Sequence, residues 1–113
     1  MRLFLIRHPQ PAVAPGICYG RTDLPLAEHP ARHAHALRPL LPVAAPLYAS
    51  PLARARLLAE QLHPAPILDD RLREIDFGDW EMQAWDALDR RRLDAWAAAP
   101  FDFRPPGGET VAA

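Results

Sequence analysis

The sequence predicts an α/β fold in which short parallel strands alternate with helices. Two observations carry this prediction. Three short apolar runs have the composition of buried strands, and a segment of helical pattern follows each of them. The order strand, helix, strand, helix, strand, helix is typical of a parallel sheet that is covered by helices. With 113 residues, the chain is expected to form a single domain over residues 1–113.

The first predicted strand is Leu3–Ile6, because a continuous apolar run suits a short strand that is buried on both faces. Residues 7–26 contain four prolines and two glycines, which predicts a loop. The first helix is expected from about Pro30 to Leu41, and Pro39 shortens it because proline cannot continue a helix.

The second predicted strand, Pro46–Ala49, leads directly into the second helix. Ser50 is the expected N-cap of that helix, and Pro51 is expected in its first turn. The helical spacing of the apolar residues gives the helix one apolar face: Leu52, Ala55, Ala59 and Leu62. The third predicted strand is Ile67–Leu68, after a proline-containing break at residues 64–66.

The longest predicted helix covers Trp80–Ala98, and Asp79 is a candidate for its N-cap. Irregular structure is expected before it, over residues 72–78, and a loop after it, over residues 100–108. One arc of this helix carries large apolar side chains, which predicts that it packs against the core: Met82, Trp85, Leu88, Leu93 and Trp96.

The composition excludes several classes of protein. The net charge of −1 argues against a general nucleic-acid binder, which would need a basic surface. All 13 basic side chains are arginines, so guanidinium is the permanent cation available for an anionic ligand. A single cysteine, Cys18, excludes an intramolecular disulfide framework. The apolar run near the N-terminus is too short for a signal peptide or a membrane span, so we expect a cytoplasmic protein with no membrane partner.

A basic pair follows the first predicted strand. Ligands of open parallel sheets bind beyond the carboxyl ends of the strands, where Arg7 and His8 would stand. Pro9 biases His8 toward an extended backbone, which would hold the imidazole on a stiff turn. The alternative is a surface loop with an incidental basic pair.

Arg54 lies about one turn into the second predicted helix. A helix N-terminus carries partial positive charge, so an arginine there is mildly unfavourable unless an anion is bound. A phosphate could accept hydrogen bonds from the backbone N–H groups and from the guanidinium together. The alternative is that Arg54 points into solvent.

Four carboxylates lie within the eight residues from Glu74 to Glu81. A carboxyl group next to Phe77 or Trp80 would be partly desolvated and could act as a general acid. The alternative is a solvated acidic turn at the start of the next helix.

Five sequence blocks follow one another along the chain: Leu5–His8, Gly16–Leu26, Ser50–Ala55, Leu72–Glu81 and Gly107–Thr110. Together and in this order they resemble the histidine phosphatase superfamily, the phosphoglycerate-mutase-like group, and within it the α-ribazole phosphatase branch of cobalamin assembly. The resemblance implies a three-layer α/β sandwich with a mostly parallel sheet. It also implies a phosphomonoester hydrolase that acts through a phosphohistidine, with α-ribazole 5′-phosphate as a candidate substrate.

The resemblance implies a role for each catalytic candidate. His8 would be the nucleophile, which splits one displacement into two. Glu74 would protonate the leaving alkoxide and then activate the hydrolytic water, worth about 10²–10⁴-fold in rate. Arg7 and Arg54 would hold the phosphate oxygens and the charge that builds on them.

The resemblance also implies a substrate-binding surface. Arg21 and Thr22 lie where the family contacts phosphate or substrate, and Gln10 is expected to contribute a polar group to the phosphate loop. The expected ligand is a small phosphorylated metabolite. No cofactor and no metal are expected, because arginines replace the cation that phosphoryl transfer often uses.

The chain departs from the family pattern in its phosphate loop and near its C-terminus. Pro9 stands where the family has glycine and Pro11 where it has threonine, which leaves the loop fewer polar groups. The second catalytic histidine of the family, followed by glycine, has no counterpart in the sequence. We therefore expect a front portion of a longer protein, apparently truncated before that histidine and a poor catalyst in this form.

Two alternatives stay within the resemblance. One is a phosphate-ligand-binding module without turnover, and the other is a phosphoglycerate mutase-type phosphotransferase. The short stretch between Trp80 and Gly107 favours a phosphatase, because the mutases of the family carry extra segments.

Two sites outside the resemblance are disfavoured. His29, His33 and His35 have no carboxylate or cysteine at a spacing that would complete a metal site. Cys18 has no histidine beside it in the sequence that would activate it as a nucleophile.

Overall fold

The computed structural model describes residues 1–112 and confirms the predicted α/β class. Ala113, the last residue of the predicted domain, lies outside the described residues. The helices and strands of the described part are α1 (Ala31–Leu37), β1 (Tyr48–Ala49), α2 (Ala53–Leu62), β2 (Ile67–Leu68) and α3 (Arg90–Ala98). Short 3₁₀ turns lie at Arg38–Leu40, Asp70–Leu72, Gly78–Trp80 and Trp85–Ala87.

The chain divides into two compact units. The first unit comprises Met1–Val13 and Asp23–Arg73, and it contains α1, α2 and both strands. The second unit comprises Ala14–Thr22 and residues 74–112, and it contains α3.

The first unit is built around a β–α–β arrangement. Strands β1 and β2 are parallel, with Tyr48 opposite Ile67 and Ala49 opposite Leu68, and α2 is the crossover between them. Ala49 is buried, as is one side of α2 through Leu58 and Ala59 together with the preceding Leu52. The second and third predicted strands are therefore confirmed, and they pair in the parallel sense that a helical crossover requires.

The predicted first strand, Leu3–Ile6, is not formed in the described residues. Leu3 and Leu5 are 79% and 88% exposed. A strand exists only where a neighbour receives its backbone hydrogen bonds, and within residues 1–112 no strand pairs with this run. The apolar composition of Leu3–Ile6 is suitable for a strand, but a strand forms only where a neighbouring strand pairs with it.

Helix α2 begins later than its sequence suggests. Leu52 is extended and stands at the N-cap, so the prediction that Ser50 caps the helix is wrong. The Ser50 hydroxyl instead accepts a hydrogen bond from the Leu52 N–H at 3.2 Å. The carboxylate of Asp23 accepts one from the Ala53 N–H at 2.7 Å, so a residue distant in sequence supplies a partner for the first turn.

The predicted helix Trp80–Ala98 is wrong in its first half. Met82 has a φ of 64°, which no α-helix accommodates. The Met82 N–H donates to the Cys18 carbonyl at 2.7 Å, and the Cys18 N–H donates to the Gln83 carbonyl at 2.8 Å. The Gln83 carbonyl, which an α-helix would pair with the N–H four residues later, is therefore bound by Cys18 instead.

Only the second half of that prediction forms a helix, α3. Its N-cap is Asp89, whose carboxylate accepts hydrogen bonds from the N–H groups of Arg91 and Arg92. The expectation that Asp79 caps this helix is therefore wrong. The predicted loop over residues 100–108 is confirmed, since these residues form neither helix nor strand.

The core of the second unit is aromatic. Phe77 and Trp80 are buried together with Cys18. Trp96 stacks on Trp85 with ring centroids 5.8 Å apart, and Phe77 meets Trp85 edge-on at 5.8 Å. Such ring pairs stabilise a fold beyond their buried area. The predicted inward role of Trp85 and Trp96 agrees with this packing, whereas the prediction that Met82 packs against the core is wrong, since its side chain is 44% exposed.

Candidate active site

His8 is half-buried in the first unit, and one of its ring nitrogens is engaged. Its Nδ1 lies 2.7 Å from the carbonyl oxygen of Pro9. A carbonyl can only accept, so in this contact Nδ1 carries the proton and donates it. In the neutral ring the lone pair then belongs to Nε2, which is the nitrogen able to attack an electrophile.

The segment that follows His8 is held against a second segment of the same unit. Pro9 and Pro11 are buried, and Pro11 forms an antiparallel bridge with Leu26. The Ala12 N–H donates to the Pro25 carbonyl at 2.8 Å. Although proline removes a backbone donor, two prolines also restrict the segment, so His8 stands before a stiff stretch of chain.

Gln10 lines a shallow depression of about 180 Å³ on the first unit. Its other lining residues are Pro9, Ala27, Glu28 and His33. Gln10 is exposed, and its backbone carbonyl accepts a hydrogen bond from the Ala27 N–H at 3.0 Å. Pro9 and Gln10, the two residues that follow His8 in the sequence, therefore both line this depression.

Arg54 is buried in the first turn of α2, with 2% of its surface exposed. The alternative in which it points into solvent is therefore excluded. Burial of a guanidinium costs several kcal/mol, roughly, unless anionic or hydrogen-bonding groups compensate. Arg7, by contrast, is exposed.

The N-terminus of α2 offers less to an anion than the sequence suggests. The N–H groups of Leu52 and Ala53 are used by Ser50 and Asp23, and those of Ala55 and Arg56 donate to the Leu52 carbonyl. The carboxylate of Asp23 is itself the anion at this end of the helix. Any phosphate held by this turn would consequently depend on side chains more than on these backbone groups.

Glu74 is exposed at the start of the irregular segment 74–77 of the second unit. Its backbone carbonyl accepts a hydrogen bond from Nε of Arg21 at 3.1 Å. The desolvation by Phe77 that the sequence suggested does not apply to it, because Phe77 is buried in the aromatic core while Glu74 lies at the surface.

Arg21 and Thr22 both donate within the second unit. Nη2 of Arg21 forms an ion pair with the Glu109 carboxylate at 2.7 Å. The hydroxyl and the N–H of Thr22 both donate to the Glu81 carboxylate. These two predicted substrate contacts are thus also parts of the internal hydrogen-bond network.

Comparison with known proteins decides the family. The profile of the histidine phosphatase superfamily (branch 1) matches residues 3–113, nearly the whole chain. The chain belongs to the histidine phosphatase superfamily. Among curated proteins, none matches the chain significantly.

Solved structures of superfamily relatives support the fold. TTHB049 from Thermus thermophilus is 38% identical over 95% of this chain, with a TM-score of 0.79. A phosphoglycerate mutase from the same organism is 35% identical over 93% of the chain, with a TM-score of 0.72. A candidate α-ribazole-5′-P phosphatase from Escherichia coli is 25% identical over 96%, with a TM-score of 0.78.

The chain spans only part of these superfamily relatives. It covers 62% of the length of TTHB049, 62% of the phosphoglycerate mutase and 58% of the Escherichia coli protein. The fold matched is therefore part of the phosphoglycerate-mutase-like architecture.

Cys18 is poorly suited to nucleophilic chemistry in this superfamily member. Burial, and secondarily the negative charge of Glu81, raises the pKa of its thiol to about 12. Because the thiolate is the reactive form, the thiol is inert near neutral pH.

Within residues 1–112, no group of three or more His, Cys, Asp or Glu side chains is arranged to hold a metal ion. No helix of that part of the chain is long and apolar enough to cross a membrane.

Three carboxylates organise the loops of this superfamily member in a way that the sequence patterns do not predict: Asp23, Glu81 and Glu109. Asp23 and Glu109 lie inside blocks that carry the family resemblance, yet their partners are distant in sequence. Glu81 is one of the four carboxylates of residues 74–81, and its partners Gly20 and Thr22 are also distant in sequence. The adjacent glycines Gly107 and Gly108 were the available signal, because paired glycines often mark a close backbone approach.

Proposed function

We propose that the chain hydrolyses phosphate monoesters through a phosphohistidine on Nε2 of His8. The lone pair of Nε2 attacks phosphorus, the ester P–O bond breaks, and the leaving alkoxide takes a proton from Glu74. Water then attacks the phosphohistidine and gives its proton to Glu74, which releases inorganic phosphate and restores the imidazole. The observation that carries the proposal is the Nδ1 contact with the Pro9 carbonyl, since it leaves Nε2 as the nucleophile.

Arg7 and Arg54 are proposed to bind the non-transferred phosphate oxygens. The position of Arg54 supports this role, because it lies in the first turn of α2 and the N-terminal end of a helix favours an anion. Gln10 and Thr22 are proposed to contact the rest of the substrate. The depression that Gln10 lines supports the first of these contacts.

The proposed substrate is a small phosphorylated metabolite of the cytoplasm. α-Ribazole 5′-phosphate, an intermediate of cobalamin biosynthesis, is the specific candidate. The support is the similarity to the candidate α-ribazole-5′-P phosphatase of Escherichia coli, at 25% identity.

A phosphotransferase is the second candidate, favoured by the 35% identity to a phosphoglycerate mutase. The two reactions share the phosphohistidine and differ in its acceptor, which is water for a phosphatase and a second alcohol for a mutase. The two are distinguished by incubating the chain with a monoester and no added acceptor: release of inorganic phosphate is expected for the hydrolase, and none for the phosphotransferase.

The nucleophile is tested by replacing His8. We expect His8→Ala to abolish turnover of a ³²P-labelled alkyl phosphate and the labelled protein that an alkaline quench preserves, because Nε2 is the atom that accepts the phosphoryl group. His35→Ala is the matched control, since His35 is an exposed histidine of α1. Label retained on His8→Ala protein, or lost from His35→Ala protein, contradicts the assignment.

The proton donor is tested with two leaving groups. Glu74→Gln should lower kcat for an alkyl phosphate by about 10²-fold or more and for p-nitrophenyl phosphate far less, because a nitrophenolate leaves without a proton. Asp86→Asn is the control, since Asp86 is an exposed carboxylate of the same unit. Equal losses on the two esters would remove Glu74 from the acid role.

A further inference from the structure

The backbone that carries Glu74 is held by two loops of the second unit. From the loop 14–22, Nε of Arg21 donates to the Glu74 carbonyl at 3.1 Å. From the C-terminal loop, the Glu109 carboxylate accepts from the Asp76 N–H at 2.9 Å. The Glu109 N–H returns a hydrogen bond to the Asp76 carbonyl at 3.0 Å. The segment is thus fixed at Glu74 by one loop and at Asp76 by the other.

The two loops are also joined to each other. Nη2 of Arg21 and the Asp76 N–H both donate to the same oxygen, Oε1 of Glu109. The side chains of Arg21 and Glu109 are each 35% exposed, so solvent screens much of their attraction. The main effect of the pair is to fix positions. The guanidinium of Arg21 links the Glu74 carbonyl to the Glu109 carboxylate, and that carboxylate binds the Asp76 N–H.

Glycines let the loops approach this backbone closely. A Cβ at Gly20 would lie 2.0 Å from the Ile75 carbonyl oxygen, and one at Gly108 would lie 2.5 Å from the Asp76 carbonyl oxygen. Real side chains essentially never come that near to backbone atoms, so both positions require glycine. The contact of Arg21 and Glu109 with the segment is therefore a built feature of the packing.

We propose that Arg21 and Glu109 are positioning residues for Glu74, and that Arg21 serves the reaction by fixing the Glu74 backbone and not by gripping the substrate. This inference rests on the proposed role of Glu74 as proton donor. Proton transfer from Glu74 to the leaving oxygen slows when the Glu74 backbone shifts, because the carboxyl group is then misplaced. Binding of the phosphate group does not require Glu74 and is expected to stay unchanged.

The test combines kinetics with a measurement that needs no turnover. For Arg21→Gln and Glu109→Gln, we expect kcat for an alkyl phosphate to fall about 10-fold, with p-nitrophenyl phosphate changed less than about 3-fold and KM nearly constant. Arg21→Lys should recover part of the loss, since its ammonium can still donate to the Glu74 carbonyl or to Glu109. Arg90→Gln is the control, because it breaks an exposed ion pair with Asp94 in the same unit.

In the same variants, the ¹⁵N order parameter of the Glu74 amide and the exchange protection of the Asp76 amide should both decrease, and Arg90→Gln should leave them unchanged. An Arg21→Gln protein whose KM rises equally for both esters indicates direct substrate contact and overturns the inference. An unchanged order parameter at Glu74 and unchanged exchange protection at Asp76 also overturn the inference. If the wild-type chain hydrolyses neither ester, these two measurements are the test.

Glu74→Gln separates this failure from failure of the proposed function. If Glu74→Gln lowers the ratio of alkyl to aryl turnover while Arg21→Gln does not, the positioning role is wrong and the acid role stands. If Glu74→Gln itself leaves that ratio unchanged, the acid role is wrong and the positioning role falls with it.

Discussion

Glu81 joins three backbone positions of the second unit through a single carboxylate. It accepts hydrogen bonds from the N–H groups of Gly20, Thr22 and Phe77 and from the Thr22 hydroxyl. Burial alone would raise its pKa, but these hydrogen bonds favour the charged form more strongly and hold the pKa below its usual value of 4.5. The charged carboxylate is therefore part of what keeps the loop 14–22 in place.

The lowered pKa of Glu81 predicts a pH dependence of stability. Because the unfolded state binds this proton more tightly, the stabilisation is fully present above about pH 4.5 and is lost as the pH falls through the lower folded-state pKa. Glu81→Gln should reduce the free energy of unfolding at pH 7 by about 1.5–3 kcal/mol, the usual contribution of a hydrogen bond to a charged group. Urea denaturation should show a smaller difference near pH 3. A pH-independent difference, or an equal one for the exposed Glu60→Gln, would contradict this account.

Arg54 illustrates what can be read from a residue and what cannot. Its place in the first turn of a helix followed from the pattern around Ser50 and Pro51, and the pattern left both an anion-binding and a solvated side chain open. The structure buries it, because Arg54 lies on the same side of α2 as Leu58, one turn later. Which face of a helix is covered depends on the neighbouring elements, and a local pattern does not contain them.

At the level of elements, α2 is stabilised by a contact that crosses thirty residues of sequence. Asp23→Ala should lower the free energy of unfolding by about 1 kcal/mol, because the Ala53 N–H loses its carboxylate partner and the helix end loses a favourable charge. Asp23→Asn should keep most of the stability. The comparison is made by urea denaturation followed by circular dichroism at 222 nm.

Asp89→Ala is the matched control for this prediction, because Asp89 directly precedes α3 and caps it, whereas Asp23 is distant in sequence from α2. A comparable loss is expected there, with α3 affected and α2 unchanged in backbone hydrogen exchange. If Asp23→Ala proves as stable as wild type, the Asp23 contact does not stabilise α2.

Two elements show why local patterns fail. The apolar arc after Trp80 predicts a continuous helix, yet residues 82 and 83 hydrogen-bond to Cys18 instead. Leu3–Ile6 has the composition of a strand and lacks a partner strand among residues 1–112. In both cases a long-range partner, present or missing, outweighs the propensity of the segment.

For the whole molecule, the single-domain prediction can be tested with spectroscopic probes that report different parts. The three tryptophans, at positions 80, 85 and 96, all lie in the second unit, whereas α1 and α2 lie in the first. A single cooperative domain should give coincident urea transitions by tryptophan fluorescence and by circular dichroism at 222 nm. Two separated midpoints would contradict a single domain.

The sequence by itself determined the α/β class, the two strands that flank α2, the C-terminal loop and the superfamily, because short apolar runs, prolines and ordered motif blocks are local properties. Tertiary structure decided the rest: the burial of Arg54, the break in the long helix, and the hydrogen bonds that tie Glu81 and Glu109 to distant backbone. Those features depend on which groups meet after folding. A hydrogen-bond donor or a charge acquires its partner only when segments far apart in sequence come together.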